Sequence, residues 1–260
     1  MFDAVLLATR DPQELDALLE RTLPLLSPGA EVDLLLAGSP APNALEEPAA
    51  VLRARGYAVQ CASDSARLSL AIEARVAETP RPLVVLPCPR RAGVLSSTWR
   101  NFELHVLDRC STTLLLREGA GRFARILLPL DGSAWCAQIT PLVATVAAAH
   151  GAEVSLLLAR PVTLSVGALR AHADALVPDS EALLARSRAL LAEAKVPHRT
   201  LTSTQDVVEA ILRRAEEERA DLIAVSTHGH TGLLHTLFGS RARAVLHYAR
   251  TSVLVHNPEV

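Results

Sequence analysis

Two glycines and a serine late in the chain have the spacing of an anion-binding loop. An apolar run, residues 222–225, predicts a buried strand that leads into Ser226, and Gly229, Gly239 and Ser240 follow it. Glycine has no side chain to keep backbone N–H groups away from a ligand, and Ser240 is a good N-cap for a helix. Because a helix start adds free N–H groups and the positive end of the helix dipole, the pattern predicts an anion site here.

A helix is predicted after Ser240, and two arginines fall in its first turn. Its apolar positions recur at helical spacing: Ala242, Val245, Leu246 and Ala249. Arg241 and Arg243 put positive charge at the positive end of the helix dipole, which a bound phosphate would make favourable. Two solvated arginines at a small cost are the alternative, and both interpretations stay open.

A carboxylate follows the strand predicted at residues 126–130. This strand ends in Pro129 and Leu130, and Asp131 comes next. In a doubly wound sheet the first and fourth strands flank the ligand crevice, so Asp131 and the Gly229 loop should face the same space. The carboxylate can accept hydrogen bonds from a sugar or an amine, while an Asx turn at the strand–helix corner is the structural alternative.

Three histidines of the same loop, His228, His230 and His235, raise the question of a metal site. They lack the i, i+4 spacing of a helical pair, and no carboxylate or thiol lies near them in the sequence. We therefore expect no metal ligation by protein side chains. Ser133 and Ser240 lie in no nucleophile-elbow motif, so no catalytic residue is assigned.

The glycine loop resembles the nucleotide-binding loop of the universal stress protein family. That family's pattern is Gly, two residues, Gly, nine residues, Gly, and then Ser or Thr. Here Ser226 stands at the first position, and Gly229, nine residues, Gly239 and Ser240 match the rest. The resemblance implies ATP as the ligand, accompanied by Mg²⁺, with its phosphates held by Gly229, Gly239 and Ser240.

The resemblance also implies contacts outside the glycines. His228 would lie next to the phosphates. Arg241 is also assigned to the phosphates, because its charge lies at the start of the helix. The adenosine part would contact Asp131 and the main chain near Ala159. The residues that lead into the carboxylate, Pro129 and Leu130, are assigned to the site with it.

The chain contains two copies of one unit. Residues 29–37 recur as residues 151–159 with one mismatch, at an offset of 122. From about residue 62 to residue 117 the offset is 139. Such self-similarity indicates a duplicated domain.

The repeat predicts the domain boundaries. We expect domains at residues 1–119 and 122–260, with a flexible joint of small residues between them. The offsets differ by 17 residues, which places an insertion within about residues 161–180. This insertion follows the second strand of its copy, so we expect a surface excursion that could act as a lid over the crevice.

Apolar strands alternate with helices in each copy, which is typical of a parallel sheet covered on both faces. The predicted fold class is therefore α/β, with two flavodoxin-like (adenine nucleotide alpha hydrolase-like) domains. Each should have a five-stranded parallel sheet of order 3-2-1-4-5. The last strands, at residues 114–116 and 253–255, are expected to contact each other in an intramolecular pseudo-dimer. A further homodimer is left open.

The first copy is expected to have lost the ligand site. Bulky or proline residues stand at the positions aligned with the loop and with Asp131: Arg10, Pro87, Arg90, Arg100 and Asn101. Side chains at these positions block a close backbone approach, and proline removes an N–H donor. The sequence therefore predicts one nucleotide per chain, in the second copy.

Composition excludes several other classes of protein. The net charge is −2 and neither half is basic, so nucleic acid is not an expected partner. No apolar run approaches the ~20 residues of a membrane span, and the first residues do not form a signal peptide, so we expect no membrane partner and a cytoplasmic location. The four cysteines lack CxxC spacing and are interpreted as buried reduced thiols.

These observations predict a stress-response protein that binds ATP in its C-terminal domain and acts as a nucleotide-responsive regulator. No general base is evident, so any ATPase activity should be slow. Two alternatives remain: a stress scaffold that binds no nucleotide, and a slow autophosphorylating phosphotransferase with Ser240 or Thr231 as acceptor.

Overall fold

A computed structural model describes residues 1–38, 43–78, 83–88, 106–107, 110–117, 121–130, 138–159, 180–227 and 240–258. Within these ranges the strands are β1 Phe2–Thr9, β2 Leu26–Ala37, β3 Ala58–Asp64, β4 Leu83–Pro87, β5 Thr112–Leu116, β6 Arg125–Leu130, β7 Glu153–Ala159, β8 His198–Ser203, β9 Leu222–Ser226 and β10 Ser252–His256. The α-helices are α1 Leu15–Thr22, α2 Glu46–Ala54, α3 Leu68–Glu78, α4 Thr140–His150, α5 Ser180–Glu193, α6 Val207–Glu217 and α7 Ser240–Tyr248.

The chain divides into two compact units by its contacts. The first unit consists of residues 1–122 and 252–260, and the second of residues 123–251. The division by sequence copy, 1–119 and 122–260, therefore differs from the division by contact chiefly in β10. This strand belongs to the second copy of the repeat but lies with the first unit.

The first unit contains a sheet of strand order β3-β2-β1-β4-β5-β10. Strands β1 to β5 are parallel and follow the predicted order 3-2-1-4-5. The apolar runs of β1, β4 and β5 are buried on both faces, as shown by Val5, Leu6 and Leu7 of β1, each 0% exposed. Continuous burial explains why these strands show no alternation of polar and apolar residues.

Strand β10 pairs antiparallel with β5. Val253 lies opposite Leu115, and Leu254 lies opposite Leu114. The predicted contact between the last strands of the two copies is therefore confirmed. The free edge of β5 is covered by this pairing, which removes a site for unwanted strand addition.

A buried arginine fastens the start of β10. Arg21, 6% exposed on α1, donates from Nε to the Gly121 carbonyl at 3.1 Å and from Nη1 to the Arg117 carbonyl at 3.1 Å. The same Nη1 reaches Ser252 Oγ at 3.2 Å, and the Arg117 N–H donates to Ser252 Oγ at 3.1 Å. A guanidinium spreads several donors in a plane, so one side chain ties three segments together.

The second unit contains four parallel strands in the order β9-β6-β7-β8. These are the positions 4-1-2-3 of the predicted order, and the predicted α/β fold class is confirmed. Asp206 caps α6 as its sequence suggests, since its side chain accepts from Val208 N and Glu209 N. Helix α4 ends at Gly151, whose φ of 70° suits glycine.

Helix α4 contains a proline that its position accommodates. The helix begins at Thr140. Pro141 lies in its first turn, where the missing N–H would have had no partner within the helix. The first turn therefore accommodates the proline without a kink.

The cysteine prediction is wrong at one position. Cys88 and Cys110 are buried, but Cys61 is exposed on β3, at the end of the first unit's sheet. Cys136 lies outside the described residues. In the described part of the chain, no helix is long and apolar enough to cross a membrane.

Candidate functional site

Three neighbouring strands of the second unit end at the same edge of the sheet. The register of β6 against β7 pairs Leu130 with Leu158, the residue before Ala159. The register of β6 against β9 pairs Ile126 with Leu222, an offset of 96 that brings Leu130 level with Ser226. The carboxyl ends of parallel strands are where doubly wound proteins bind ligands. The described strand residues assigned to the site, Pro129, Leu130, Ala159 and Ser226, are therefore brought to one edge.

The walls of this edge are tightly packed and apolar. Leu130 is 4% exposed, Ala159 is 8% exposed, and Pro129 is also buried. Such side chains offer a ligand shape and apolar surface, while their backbones can supply hydrogen bonds. Ser226, which is half-buried, adds a side chain that can form a hydrogen bond.

The hydroxyl of Ser226 is unusual for its environment. Its Oγ is buried and has no hydrogen-bond partner among the residues that the structure describes. Buried polar groups are nearly always paired, and leaving one unpaired costs about 1–3 kcal/mol. The sequence shows a serine at this position but not whether its hydroxyl has a partner.

Helix α7 is the next described element after β9. The helix begins at Ser240, so this residue is already helical rather than a preceding N-cap. Arg241 and Arg243 are exposed, which leaves both free to meet an anion or solvent. The predicted buried face of the helix is confirmed for all four residues, Ala242, Val245, Leu246 and Ala249.

Several assigned residues lie outside the described part of the chain: Asp131, His228, Gly229, Gly239 and the insertion within residues 161–180. Their roles stay predictions. Among the described residues, no group of three or more His, Cys, Asp or Glu side chains is placed to bind a metal ion.

At the corresponding edge of the first unit, the end of β1 is paired with neighbouring residues. Thr9 ends β1 and is 0% exposed. Its Oγ1 contacts Glu14 Oε2 at 2.5 Å and accepts the Asp11 N–H at 3.1 Å. Thr9 aligns with Leu130 of the second copy. A polar residue at a position that is apolar in the other copy could have indicated this pairing, but the sequence analysis did not identify it.

Strand β4 completes the difference between the copies. Pro87 stands at the position of Ser226 and offers neither an N–H nor a hydroxyl. The next residue, Cys88, donates its N–H to the Leu116 carbonyl at 2.7 Å. The Cys88 N–H is therefore paired within the protein, unlike Ser226 Oγ.

The strand order and the strand-end edge define a doubly wound α/β protein with a candidate ligand crevice in its second copy. The chain belongs to the universal stress protein family, whose family model matches residues 122–256. Over 61 residues it is 46% identical to universal stress protein A homolog 1 of Coxiella burnetii, an alignment that spans 23% of this chain and 42% of that relative.

Solved structures support the fold over the whole chain. A universal stress protein from Archaeoglobus fulgidus DSM 4304 matches with a TM-score of 0.69 and 15% identity, covering 99% of each chain. A protein of unknown function from Pseudomonas aeruginosa PAO1 matches with a TM-score of 0.69 and 19% identity, covering 99% of this chain and 93% of that one. At such identities the likeness concerns the fold alone.

Proposed function

We propose that this chain is a cytoplasmic stress-response regulator that binds ATP with Mg²⁺ in its second copy. Asp131 and the main chain near Ala159 hold the adenosine part, and Gly229, Gly239 and Ser240 hold the phosphates. Nucleotide binding changes what the protein contacts rather than starting rapid turnover.

The observation that carries the proposal is the common edge of β6, β7 and β9. Pro129, Leu130, Ala159 and Ser226 gather there, in the copy that the family model matches. One described group suits a nucleotide. The buried Ser226 Oγ lacks a partner among the described residues, and it can form a hydrogen bond with a ligand oxygen. At the position of Ser226 the first unit has Pro87, which has no side-chain donor.

We expect slow chemistry at most at this site. The four described residues at the edge, Pro129, Leu130, Ala159 and Ser226, have no carboxylate or imidazole side chain, and Asp131 is assigned to hold the adenosine part rather than to move a proton. Proton transfer by a positioned side chain contributes about 10²–10⁴-fold to a rate. ATP should therefore be held longer than it is hydrolysed.

Titration calorimetry with ATP and Mg²⁺ tests the proposal. We expect one nucleotide per chain, abolished by Gly239→Leu because a side chain blocks backbone approach to the phosphate. Asp131→Ala should weaken binding by about 1–3 kcal/mol, through the loss of a hydrogen-bond acceptor. Arg90→Gly at the matched position of the first copy is the control and should leave binding unchanged.

Other outcomes would point to the alternatives. Two equivalent sites, or binding that survives Gly239→Leu, would place the ligand elsewhere. Absence of ATP from both the titration and the purified protein would favour a scaffold without nucleotide. Stoichiometric transfer of labelled phosphate from ATP to Ser240 or Thr231 would identify an autophosphorylating enzyme.

A further inference from the structure

We propose that the hydroxyl of Ser226 is a selectivity-determining group of the ligand site. It donates a hydrogen bond to an oxygen of the bound nucleotide, from either the ribose or a phosphate. This inference rests on the proposed function and adds a role for a side chain where the family pattern has none.

The argument starts from the missing partner. Ser226 Oγ is buried and unpaired within the described residues, in a residue that as a whole is half-buried at the end of β9. A hydroxyl in this state gains a partner when a ligand oxygen arrives. The free protein therefore keeps a donor unused until the ligand binds.

The position of the group points in the same direction. Ser226 is the last residue of β9, level with Leu130 at the end of β6. The first unit offers a comparison within the same chain. At its β1 end, Thr9 pairs with Glu14 and Asp11, and at its β4 end Pro87 has no hydroxyl. Of the described ends of β1, β4 and β9, the end of β9 carries a buried hydroxyl without a partner, and β9 belongs to the copy with the glycine loop.

The chemistry of a hydroxyl sets the kind of selectivity. Glycine at this position would offer only its backbone, whereas serine rewards a ligand that carries an oxygen within its reach. A site that hydrogen-bonds a ligand oxygen discriminates against an analogue that lacks it, because the buried group is then left unpaired. The serine thus narrows the ligands that this site accepts.

Two variants and a matched control test the role. Ser226→Ala and Ser226→Gly should each weaken ATP binding about 10- to 100-fold by calorimetry, the loss expected for one buried hydrogen bond. The melting temperature of Ser226→Ala without ligand should equal or exceed that of the wild type, because an unpaired donor has been removed. In the control, Ser187→Ala removes a buried hydroxyl of α5 that pairs with Thr140 Oγ1 at 3.0 Å. It should lower the melting temperature and leave ATP affinity unchanged.

Ligand analogues locate the oxygen. If the loss in Ser226→Ala disappears with 2′-deoxy-ATP or 3′-deoxy-ATP, the partner is that ribose hydroxyl; if it persists with both, the partner is a phosphate oxygen. Variants that bind ATP as tightly as the wild type, or tighter in Ser226→Gly, would overturn the inference alone. A lowered melting temperature of free Ser226→Ala would do the same, since the hydroxyl would have a protein partner. A wild-type protein that binds no nucleotide would overturn the inference and the proposed function together.

Discussion

A buried ion pair shows how single residues set the stability of the first unit. Asp33 on β2 is 0% exposed, and Arg75 on α3 contacts both of its carboxylate oxygens, at 2.6 and 3.1 Å. The hydrogen bond to Asp33 raises the pKa of Arg75 above its usual range, so the arginine stays charged. In the second copy, Ser155 stands at the position of Asp33. Its Oγ accepts a hydrogen bond from Arg199 Nε at 3.1 Å.

Removing one member of this pair should cost far more than removing both. Arg75→Met leaves the Asp33 carboxylate buried without its arginine, and we expect a loss of about 3–5 kcal/mol in the free energy of unfolding. The double variant Asp33→Ser/Arg75→Met, which borrows the serine of the second copy, should recover most of it. Urea denaturation measures both. Equal losses in the single and double variants would show that Asp33 does not depend on Arg75.

At this scale the sequence predicts positions better than partners. The resemblance to the family's loop pattern identified Ser226 and the glycine loop, because that pattern is a property of the chain itself. The unpaired Ser226 hydroxyl and the Thr9–Glu14 contact could not be predicted in the same way. Both depend on how side chains meet once the strands and helices have packed together.

Local sequence patterns predict where strands and helices form, but they do not predict where a strand lies in the sheet. The apolar runs of β6, β7 and β9 predicted these strands, since continuous burial selects continuous apolar residues. Cys61 was expected to be buried because cysteines usually are. It lies instead on β3, the terminal strand of its sheet, where side chains meet solvent.

The position of β3 predicts a difference in thiol reactivity. Cys61 should react with an alkylating reagent in the native protein, whereas Cys88 and Cys110 should react only after unfolding. Burial raises the pKa of Cys61, for which partial desolvation outweighs the nearby Arg53, and raises that of Cys110 to about 12. The Cys61 rate should therefore still be climbing above neutral pH, because the thiolate is the reacting form.

Mass spectrometry of labelled peptides measures these rates site by site. Cys61→Ser is the control and should remove the fast phase that this thiol contributes. Labelling of Cys110 as fast as Cys61 in the native protein would contradict the assigned burial.

For the whole molecule, the end of β10 carries a pH-sensitive contact. His256 Nδ1 lies 3.1 Å from the Ser111 carbonyl, which can only accept, so Nδ1 donates. Asn257 adds a backbone N–H to the same carbonyl at 2.8 Å. Burial lowers the pKa of His256, and the Ser111 hydrogen bond opposes this only in part.

Stability should therefore decline in mild acid. Below the unfolded histidine pKa of about 6.5, the unfolded chain takes up a proton that the folded state resists, so unfolding becomes easier as pH falls. The decline stops once the pH passes below the lowered folded pKa. Melting temperatures between pH 8 and pH 5 measure it, and His256→Gln should flatten the profile relative to the wild type. Parallel profiles for the two proteins would show that His256 is not responsible.

The repeat predicted the strand order and the contact between the last strands, because two copies of one pattern fold alike. It did not predict that β10 groups with the first unit, since similarity records ancestry and not contact. The family model follows the copy and takes in β10, while the contacts follow the sheet.

The pairing of β5 with β10 also orders events during synthesis. Arg117 N–H and Ser252 Oγ are separated by 135 residues, with the entire second unit between them. The ribosome must therefore synthesise the second unit before β10 can complete the sheet of the first unit. Until then, one edge of β5 is unpaired. Such open edges are where nascent chains pair wrongly, and long-range closure is slow. The first unit thus depends on the end of the chain for its final fold. We expect chaperones to bind it mainly in the interval before β10 is synthesised.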